Sequence, residues 1–204
     1  MQDLRYKRIA IDTSVVNWKA GQGLAPNIQR DREKRRDYQA IETLFDLQER
    51  GQIVLVASDQ LDRESQKTSN EATRIKLTET VKLCKEKYYL TRFETLTEST
   101  RASKSTQEDG INLEEGAYYV TQGDIKKIRE YVAEGSTPKE KVDLEVLATA
   151  AIAGVHVFVT VDRRLLRNDK IKAFVKQKDD IDVYRPSQIV EQLHSALNQR
   201  DYTI

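Results

Sequence analysis

Two aspartates directly follow apolar runs that predict β-strands, and acidic residues in such places could do chemistry. Asp12 comes after the run 9–11, and Asp162 comes after the run 157–161. A lone carboxylate beside buried apolar residues is costly unless a partner or ligand compensates it. In open α/β sheets, ligands bind just beyond the carboxyl ends of the strands. We therefore expect both carboxylates to meet a ligand at one edge of a sheet.

Two further acids lie on the inward faces of predicted helices. Asp143 precedes Leu147 and Ala150 by four and seven residues, so the three share one side of a helix. Glu64 follows an apolar residue by three positions and shares its face. Two other acids stand two positions from these, roughly 200° round the helix, and are expected to face solvent: Asp62 and Glu145. With the strand-end aspartates, the inward acids make a candidate set of four.

A divalent metal is the chemistry that such a set favours. Converging carboxylates raise one another's pKa unless a divalent cation neutralises them. Oxygen-only ligands suit Mg²⁺ or Mn²⁺, and such an ion lowers the pKa of a bound water and stabilises charge on a phosphoryl oxygen. The set therefore predicts metal-dependent phosphodiester hydrolysis. The alternative is that these are helix caps and surface acids, because a chain with 33 acids places some at strand ends by chance.

The elements that would position these acids alternate between short apolar runs and longer helical periods, which is typical of a parallel sheet covered by helices. Strands are predicted at 8–11, 53–56, 155–159 and 181–184. Helices are predicted at 35–50, after a cap at Ser58 or Asp59, at 138–154, in the charged stretch after Asp162, and from Pro186 onward. An apolar stripe predicts one more helix, which buries the single cysteine: Leu77, Val81, Cys84 and Tyr88. The pattern predicts an α/β fold.

Length and composition set the wider limits. The chain has 204 residues and one cysteine, which favours one domain spanning 1–204, with a full core and a reducing, cytoplasmic setting. Residues 96–136 combine a polar stretch with a short amphipathic helix and are predicted to be an insertion within that domain. Because 34 basic residues face 33 acidic ones, any affinity for nucleic acid must come from local clusters. The longest uncharged run, 146–161, is too short to cross a bilayer, so no membrane partner is expected.

The blocks around the four acids resemble the acidic motifs of PIN-domain nucleases. The matching segments are 9–16, the helix with Glu64, and 143–150 leading into 159–162. The order of the motifs and the 19-residue step from Asp143 to Asp162 agree as well. The resemblance covers about residues 7–70 and 138–187, and Asp62 is the alternative to Glu64.

The resemblance implies a metal-dependent endoribonuclease on a three-layer, Rossmann-like PIN-type sandwich, with a central parallel sheet flanked by helices. It implies that four residues are catalytic and hold Mg²⁺ or Mn²⁺: Asp12, Glu64, Asp143 and Asp162. It makes Ser14 and Thr160 polar neighbours that orient this cluster. It also implies the toxin of a toxin–antitoxin pair, with a small antitoxin protein as partner, and a homodimer is left open.

Clustered positive charge indicates a nucleic-acid partner independently of the family. From Arg163 to Lys178, directly after Asp162, there are seven basic residues and one acid, and residues 30–36 carry a net charge of +3. Lysine and arginine contacts to phosphates supply much of the sequence-independent affinity for nucleic acid. The predicted contacts are Arg163, Arg164, Arg167, Lys170 and Lys172. The alternative is an ordinary solvated helix face.

Two functions from different classes follow as hypotheses. The first is an endoribonuclease that hydrolyses phosphodiester bonds of single-stranded RNA. The second is a catalytically weak or inactive PIN-like module that binds RNA or a protein partner. Arg164 motivates the second, because many relatives carry a further acid at that position, two residues after the last motif aspartate.

Overall fold

A computed structural model of the chain describes residues 6–58, 69–84, 86–88, 117–118 and 122–198. Within these ranges the strands are β1 (Arg8–Ile11), β2 (Val54–Ser58), β3 (Glu86–Tyr88), β4 (Ala117–Tyr118), β5 (Val157–Val159) and β6 (Asp182–Tyr184). The α-helices are α1 (Thr13–Lys19), α2 (Pro26–Gln29), α3 (Arg32–Glu49), α4 (Glu71–Lys82), α5 (Gln122–Glu134), α6 (Pro138–Ile152), α7 (Arg163–Arg167), α8 (Asp169–Asp179) and α9 (Pro186–Asn198). A 3₁₀ helix covers Gln22–Leu24.

The described strands form one sheet in the order β4-β3-β2-β1-β5-β6, and every neighbouring pair is parallel. β1 lies in the interior of the sheet, where Ile9 pairs with Leu55 on one side and Ile11 pairs with Val159 on the other. A parallel sheet must be covered on both faces, so its strands are continuous apolar runs rather than alternating ones. The prediction of an α/β fold with a central parallel sheet is confirmed.

Successive residues of a strand point to opposite faces, and here each face has its own core. One core contains Ile9, Ile11 and Leu55 from the strands, packed against α1, α3, α4 and α9. The other contains Ala10, Val56 and Phe158, packed against residues of α5, α6 and α8. Burying one Leu or Ile side chain contributes about 1.5–3 kcal/mol relative to leaving it exposed. The two cores fix the strands, and with them the edge at which the acids lie.

The start of α6 is fixed by hydrogen bonds that the sequence encodes locally. The Thr137 hydroxyl accepts from the Glu140 amide at 3.2 Å, and the Glu140 carboxylate accepts in return from the Thr137 amide at 3.1 Å. Pro138 occupies the first turn, where no amide donor is needed. This reciprocal cap is worth about 1 kcal/mol. It sets the rotation of α6 and hence the direction of its first inward carboxylate, Asp143.

Most predicted elements are present to within three residues at each end, and one prediction was wrong. The helix predicted after Ser58 or Asp59 lies outside the described residues. The stripe from Leu77 to Tyr88 is not a single helix, because α4 ends at Lys82 and Tyr88 lies in β3. Cys84 is buried as expected. An i+4 period cannot show where a helix gives way to a short strand when apolar residues continue across the junction.

The segment predicted as an insertion, 96–136, is described only at 117–118 and 122–136. Its helix α5 packs on α6, and Tyr131 is fully buried in the second core. The Tyr131 hydroxyl donates to Asp179 at 2.5 Å, which joins α5 to the end of α8. These residues are therefore part of the folded core, and the insertion itself stays a prediction. Among the described helices, none has the length and apolar character needed to span a bilayer.

Candidate functional site

Asp12 and Asp162 lie side by side because their strands are neighbours. Asp12 follows β1 immediately, and Asp162 comes three residues after β5. The Asp12 amide continues the ladder between the two strands by donating to the Val159 carbonyl at 2.9 Å. Both carboxylates therefore lie at the carboxyl edge of the sheet, Asp12 between β1 and α1 and Asp162 between β5 and α7.

Two hydroxyls hold the Asp12 carboxylate. Ser14 Oγ and Thr160 Oγ1 each donate to Asp12 Oδ2 at 2.6 Å. Each hydroxyl also accepts a backbone amide, that of Val161 at 3.2 Å for Ser14 and that of Asp162 at 2.9 Å for Thr160. An amide can only donate, so the single proton of each hydroxyl is left for Asp12. The two hydroxyl oxygens also lie 3.2 Å from each other, but their shorter bonds to Asp12 present its carboxylate in one orientation.

The network also leaves one oxygen of Asp12 for a ligand. Both hydroxyls bind Oδ2, and no described residue donates to Oδ1. Thr160 is fully buried, so water does not compete for its hydroxyl. Ser14 and Thr160 are therefore positioned to orient Asp12, in the place where sequence reasoning expected polar neighbours.

Asp143 approaches the same edge from α6. Its side chain is 19% exposed, and the next residues of its helix, Leu144 and Leu147, are fully buried. Burial raises the pKa of the Asp143 carboxyl to about 6, with Arg164 opposing the rise and the charges of Asp162 and Asp12 adding to it. Three of the four predicted acids thus share one electrostatic environment.

Arg164 binds two of these carboxylates at once. Its Nη2 lies 2.8 Å from Asp162 Oδ2 and 3.6 Å from Asp143 Oδ2. Asp162 Oδ1 accepts the Arg164 backbone amide at 2.8 Å and so caps helix α7. Burial raises the pKa of Asp162, but the hydrogen bonds and charge of Arg164 outweigh it and hold the pKa below its usual value. A single cation therefore neutralises part of the acidic set.

The fourth predicted acid, Glu64, and its alternative, Asp62, lie outside the described residues. Among the residues that are described, no three acids or histidines lie close enough to hold one metal ion as placed. The donor chemistry nevertheless fits a hard divalent ion, because every ligand offered is a carboxylate oxygen and the set already attracts a cation. We therefore expect Mg²⁺ or Mn²⁺ to be held here only after Arg164 has moved.

The predicted nucleic-acid contacts differ in the groups with which their side chains pair. Arg163 lies 3.5 Å from Asp31 and 3.9 Å from Glu33, both at the start of α3. Lys172 pairs with Asp169 at 2.8 Å. Lys170 Nζ donates to the backbone carbonyl of residue 134 at 3.4 Å, away from the acids. Lys170 therefore contributes least to a surface beside the carboxylates.

Two open pockets border the acids on this side. One, of about 560 Å³, is lined by Arg163, Arg164, Arg167, Asn168 and Asp169. The other, of about 360 Å³, is lined by Glu33, Arg163, Leu166, Arg167, Lys172, Val183, Tyr184, Arg185 and Gln188. Arg163 and Arg167 belong to both linings, so the two pockets adjoin, and the first also includes Arg164, which binds Asp143 and Asp162. We call this surface the basic track.

Sequence reasoning missed Asp37 and Arg185. These two residues form an ion pair next to the basic track, whose lining includes Arg185. Asp37 is 1% exposed and accepts from Arg185 Nε at 3.1 Å, Arg185 Nη2 at 2.9 Å and Ser187 Oγ at 2.7 Å. Arg185 also pairs with Glu33, which faces Arg163. One signal was present: Asp37 precedes Ile41 by four residues and so lies on the buried face of its helix.

Comparison with known proteins gave no matching family model and no significant match among curated proteins or solved structures.

Proposed function

We propose that the chain is a metal-dependent endoribonuclease that hydrolyses phosphodiester bonds of single-stranded RNA, on a three-layer PIN-type sandwich. One observation carries the proposal: Asp12, Asp143 and Asp162, which lie far apart in sequence, come together at the carboxyl edge of a parallel sheet. Carboxylates gathered without an internal cation for each of them are costly, so a ligand of opposite charge is expected.

The proposed roles follow from the geometry. Asp12 and Asp143 would hold Mg²⁺ or Mn²⁺ together with Asp162, and Glu64 is proposed as the fourth ligand. Such an ion, when bound, lowers the pKa of a coordinated water and stabilises charge on a phosphoryl oxygen. Ser14 and Thr160 keep Asp12 Oδ1 directed at the ligand by binding only Oδ2. No side chain of the set needs to act as a nucleophile.

The basic track supports RNA as the substrate class. It offers Arg163, Arg167 and Lys172 to phosphates, and its lining includes the apolar side chains of Leu166 and Val183 with the ring of Tyr184. Cationic and apolar surface in one pocket suits an unpaired nucleotide, whose phosphate and base need different partners. The track includes Arg164, which binds Asp162, so a strand lying along it would come close to the carboxylates.

Asparagine substitutions test the proposal directly. Asp12→Asn and Asp143→Asn keep the side-chain shape but remove a ligand charge, and we expect each to reduce cleavage of a single-stranded RNA at least 100-fold. EDTA should abolish cleavage by the wild type. Asp46→Asn, an exposed position on α3, is the matched control and should cleave normally. Undiminished cleavage by either site variant, or in EDTA, contradicts the proposal.

A second function is favoured by the pairing of Arg164 with Asp143 and Asp162. A module that keeps the fold but binds RNA or a protein without catalysis would retain such an internal cation permanently. Calorimetric titration with Mn²⁺ separates the two functions, because the nuclease must take up the ion and the binding module need not.

The toxin of a toxin–antitoxin pair is the cellular setting that we propose for the nuclease, with a small antitoxin protein covering the acidic edge. A homodimer is compatible with either function. Co-expression of the chain with small reading frames from its own genomic neighbourhood tests the antitoxin, which should co-purify and suppress RNA cleavage.

A further inference from the structure

We infer that Arg164 is a built-in competitor of the divalent ion: its guanidinium holds Asp143 and Asp162 in the metal-free protein and must leave before Mg²⁺ or Mn²⁺ can bind them. The inference rests on the proposed function, because it concerns the same carboxylates. It adds a switch at a position where the sequence alone had suggested only a missing acid or a phosphate contact.

The first argument is the use of oxygen atoms. Asp162 Oδ1 is committed to the amide that starts α7. Its other oxygen, Oδ2, is the one that Arg164 Nη2 contacts at 2.8 Å, and the same nitrogen faces Asp143 Oδ2 at 3.6 Å. An ion shared by Asp143 and Asp162 would therefore need the space and the oxygen that the guanidinium now uses. Two cations cannot occupy that place together without strong repulsion.

The second argument is charge balance. Among the described residues, Arg164 is the cation in contact with both Asp143 and Asp162, and it brings one positive charge to two carboxylate groups. Exchange of Arg164 for a divalent ion would raise the compensation from one charge to two. The arginine thus holds the two carboxylates together in the metal-free state, yet it brings one positive charge fewer than the ion would.

The third argument is that open space lies beside the Arg164 side chain. Its side chain is 41% exposed, and it borders the open pocket of about 560 Å³ that belongs to the basic track. The guanidinium therefore has open space beside it into which the side chain can rotate. Arg163, the preceding residue, is already directed at Asp31 and Glu33 on the other side, so it does not fill the vacated place.

Titration calorimetry with Mn²⁺ alone tests the inference on the full-length chain, without RNA. Arg164→Gln removes the competing charge, and we expect it to bind Mn²⁺ about tenfold more tightly than the wild type, the scale of a partly exposed ion pair to two acids. Arg164→Lys keeps a positive charge and should stay within about threefold of the wild type. Lys178→Gln, which removes a positive charge that pairs with Glu130 away from the basic track, is the control and should bind Mn²⁺ as the wild type does.

The possible results of this titration distinguish failure of the inference from failure of the proposed function. Equal Mn²⁺ affinity for Arg164→Gln and the wild type, with both proteins folded by circular dichroism, overturns the competition while leaving the proposed nuclease intact. Weaker binding by Arg164→Gln also overturns it, because the arginine would then support the site. Failure of every variant and of the wild type to bind Mn²⁺ overturns the inference and the metal-dependent function together. An increase confined to Arg164→Gln supports both.

Discussion

The acidic edge depends on a few side chains whose hydrogen bonds are fixed in direction. Thr160 is the clearest case, since its hydroxyl accepts from the Asp162 backbone amide and donates to the Asp12 carboxylate, joining the ends of two neighbouring strands through one buried atom. Removal of such a group leaves a donor and an acceptor without their partner. The cost is then larger than the net value of an ordinary hydrogen bond.

Thr160→Val tests this bridge with nearly constant shape. We expect the free energy of unfolding in urea to fall by about 1–3 kcal/mol, because the partly buried Asp162 amide loses its acceptor. Thr149→Val is the matched control. Thr149 is equally buried, but its hydroxyl only donates to the carbonyl of residue 145 in its own helix, so a loss below about 1 kcal/mol is expected. Equal losses in the two variants would contradict the bridging role.

The raised pKa of Asp143 predicts a pH dependence of stability in the metal-free protein. A carboxyl whose folded pKa, about 6, exceeds its ordinary value of 3.8 binds its proton more tightly when folded. Its contribution to stability is therefore present below pH 3.8 and is lost as the pH rises through 6. In EDTA, the free energy of unfolding of the wild type should fall by up to about 3 kcal/mol, relative to that of Asp143→Asn, between pH 4 and pH 7. Parallel pH curves for the two proteins would refute this prediction.

Contacts between helices show where sequence reasoning reached its limit. Asp12, Asp143 and Asp162 could be gathered from local patterns, because strand ends and helix faces are properties of a few neighbouring residues. The pairs of Arg164 with Asp143 and of Arg185 with Asp37 could not. Arg185 and Asp37 are separated by 148 residues, and no local period records which charged side chain will meet which. Glu64 belongs to neither group, since it lies outside the described residues.

Two ion pairs link α3 to α9 and the residue before it, and one is buried while the other is exposed. Arg185, just before α9, meets Asp37 at 1% exposure, whereas Arg36 and Glu191 pair in the open, both more than half exposed. Arg185→Met leaves Asp37 buried without its arginine partner and should lower the free energy of unfolding by about 3–5 kcal/mol. Arg36→Met should cost less than about 1 kcal/mol. Chemical denaturation measures both, and a cost for Arg185→Met no larger than for Arg36→Met would show that Asp37 is not held by this pair.

The whole chain is almost neutral, yet its charge is divided in space. Acids converge at the end of β1 and β5, while arginines and a lysine line the track beside them. A balance of 34 basic and 33 acidic residues therefore does not argue against an anionic substrate. Attraction is local, and it should weaken with salt as phosphate contacts do.

Salt dependence of RNA binding measures this local attraction. Arg167→Ala and Lys172→Ala should each lower the slope of log affinity against log salt concentration by about 0.7, the value for one lost contact to single-stranded nucleic acid. Lys178→Ala removes a charge of the same sequence cluster that pairs with Glu130 away from the track, and it should leave the slope unchanged. An equal change for Lys178→Ala would mean that the track has no special part in binding.

The position of β1 between β2 and β5 has a consequence for protein synthesis. Thr160 meets Asp12 across 148 residues of sequence, so a chain emerging from the ribosome carries Asp12 long before it carries the groups that orient and accompany it. Until residue 162 has been translated and β5 has docked against β1, two of the three gathered carboxylates are absent or unplaced. Nascent and prematurely terminated chains therefore lack the gathered carboxylates, and the nuclease activity that we propose would arise only after folding has paired β1 with β5.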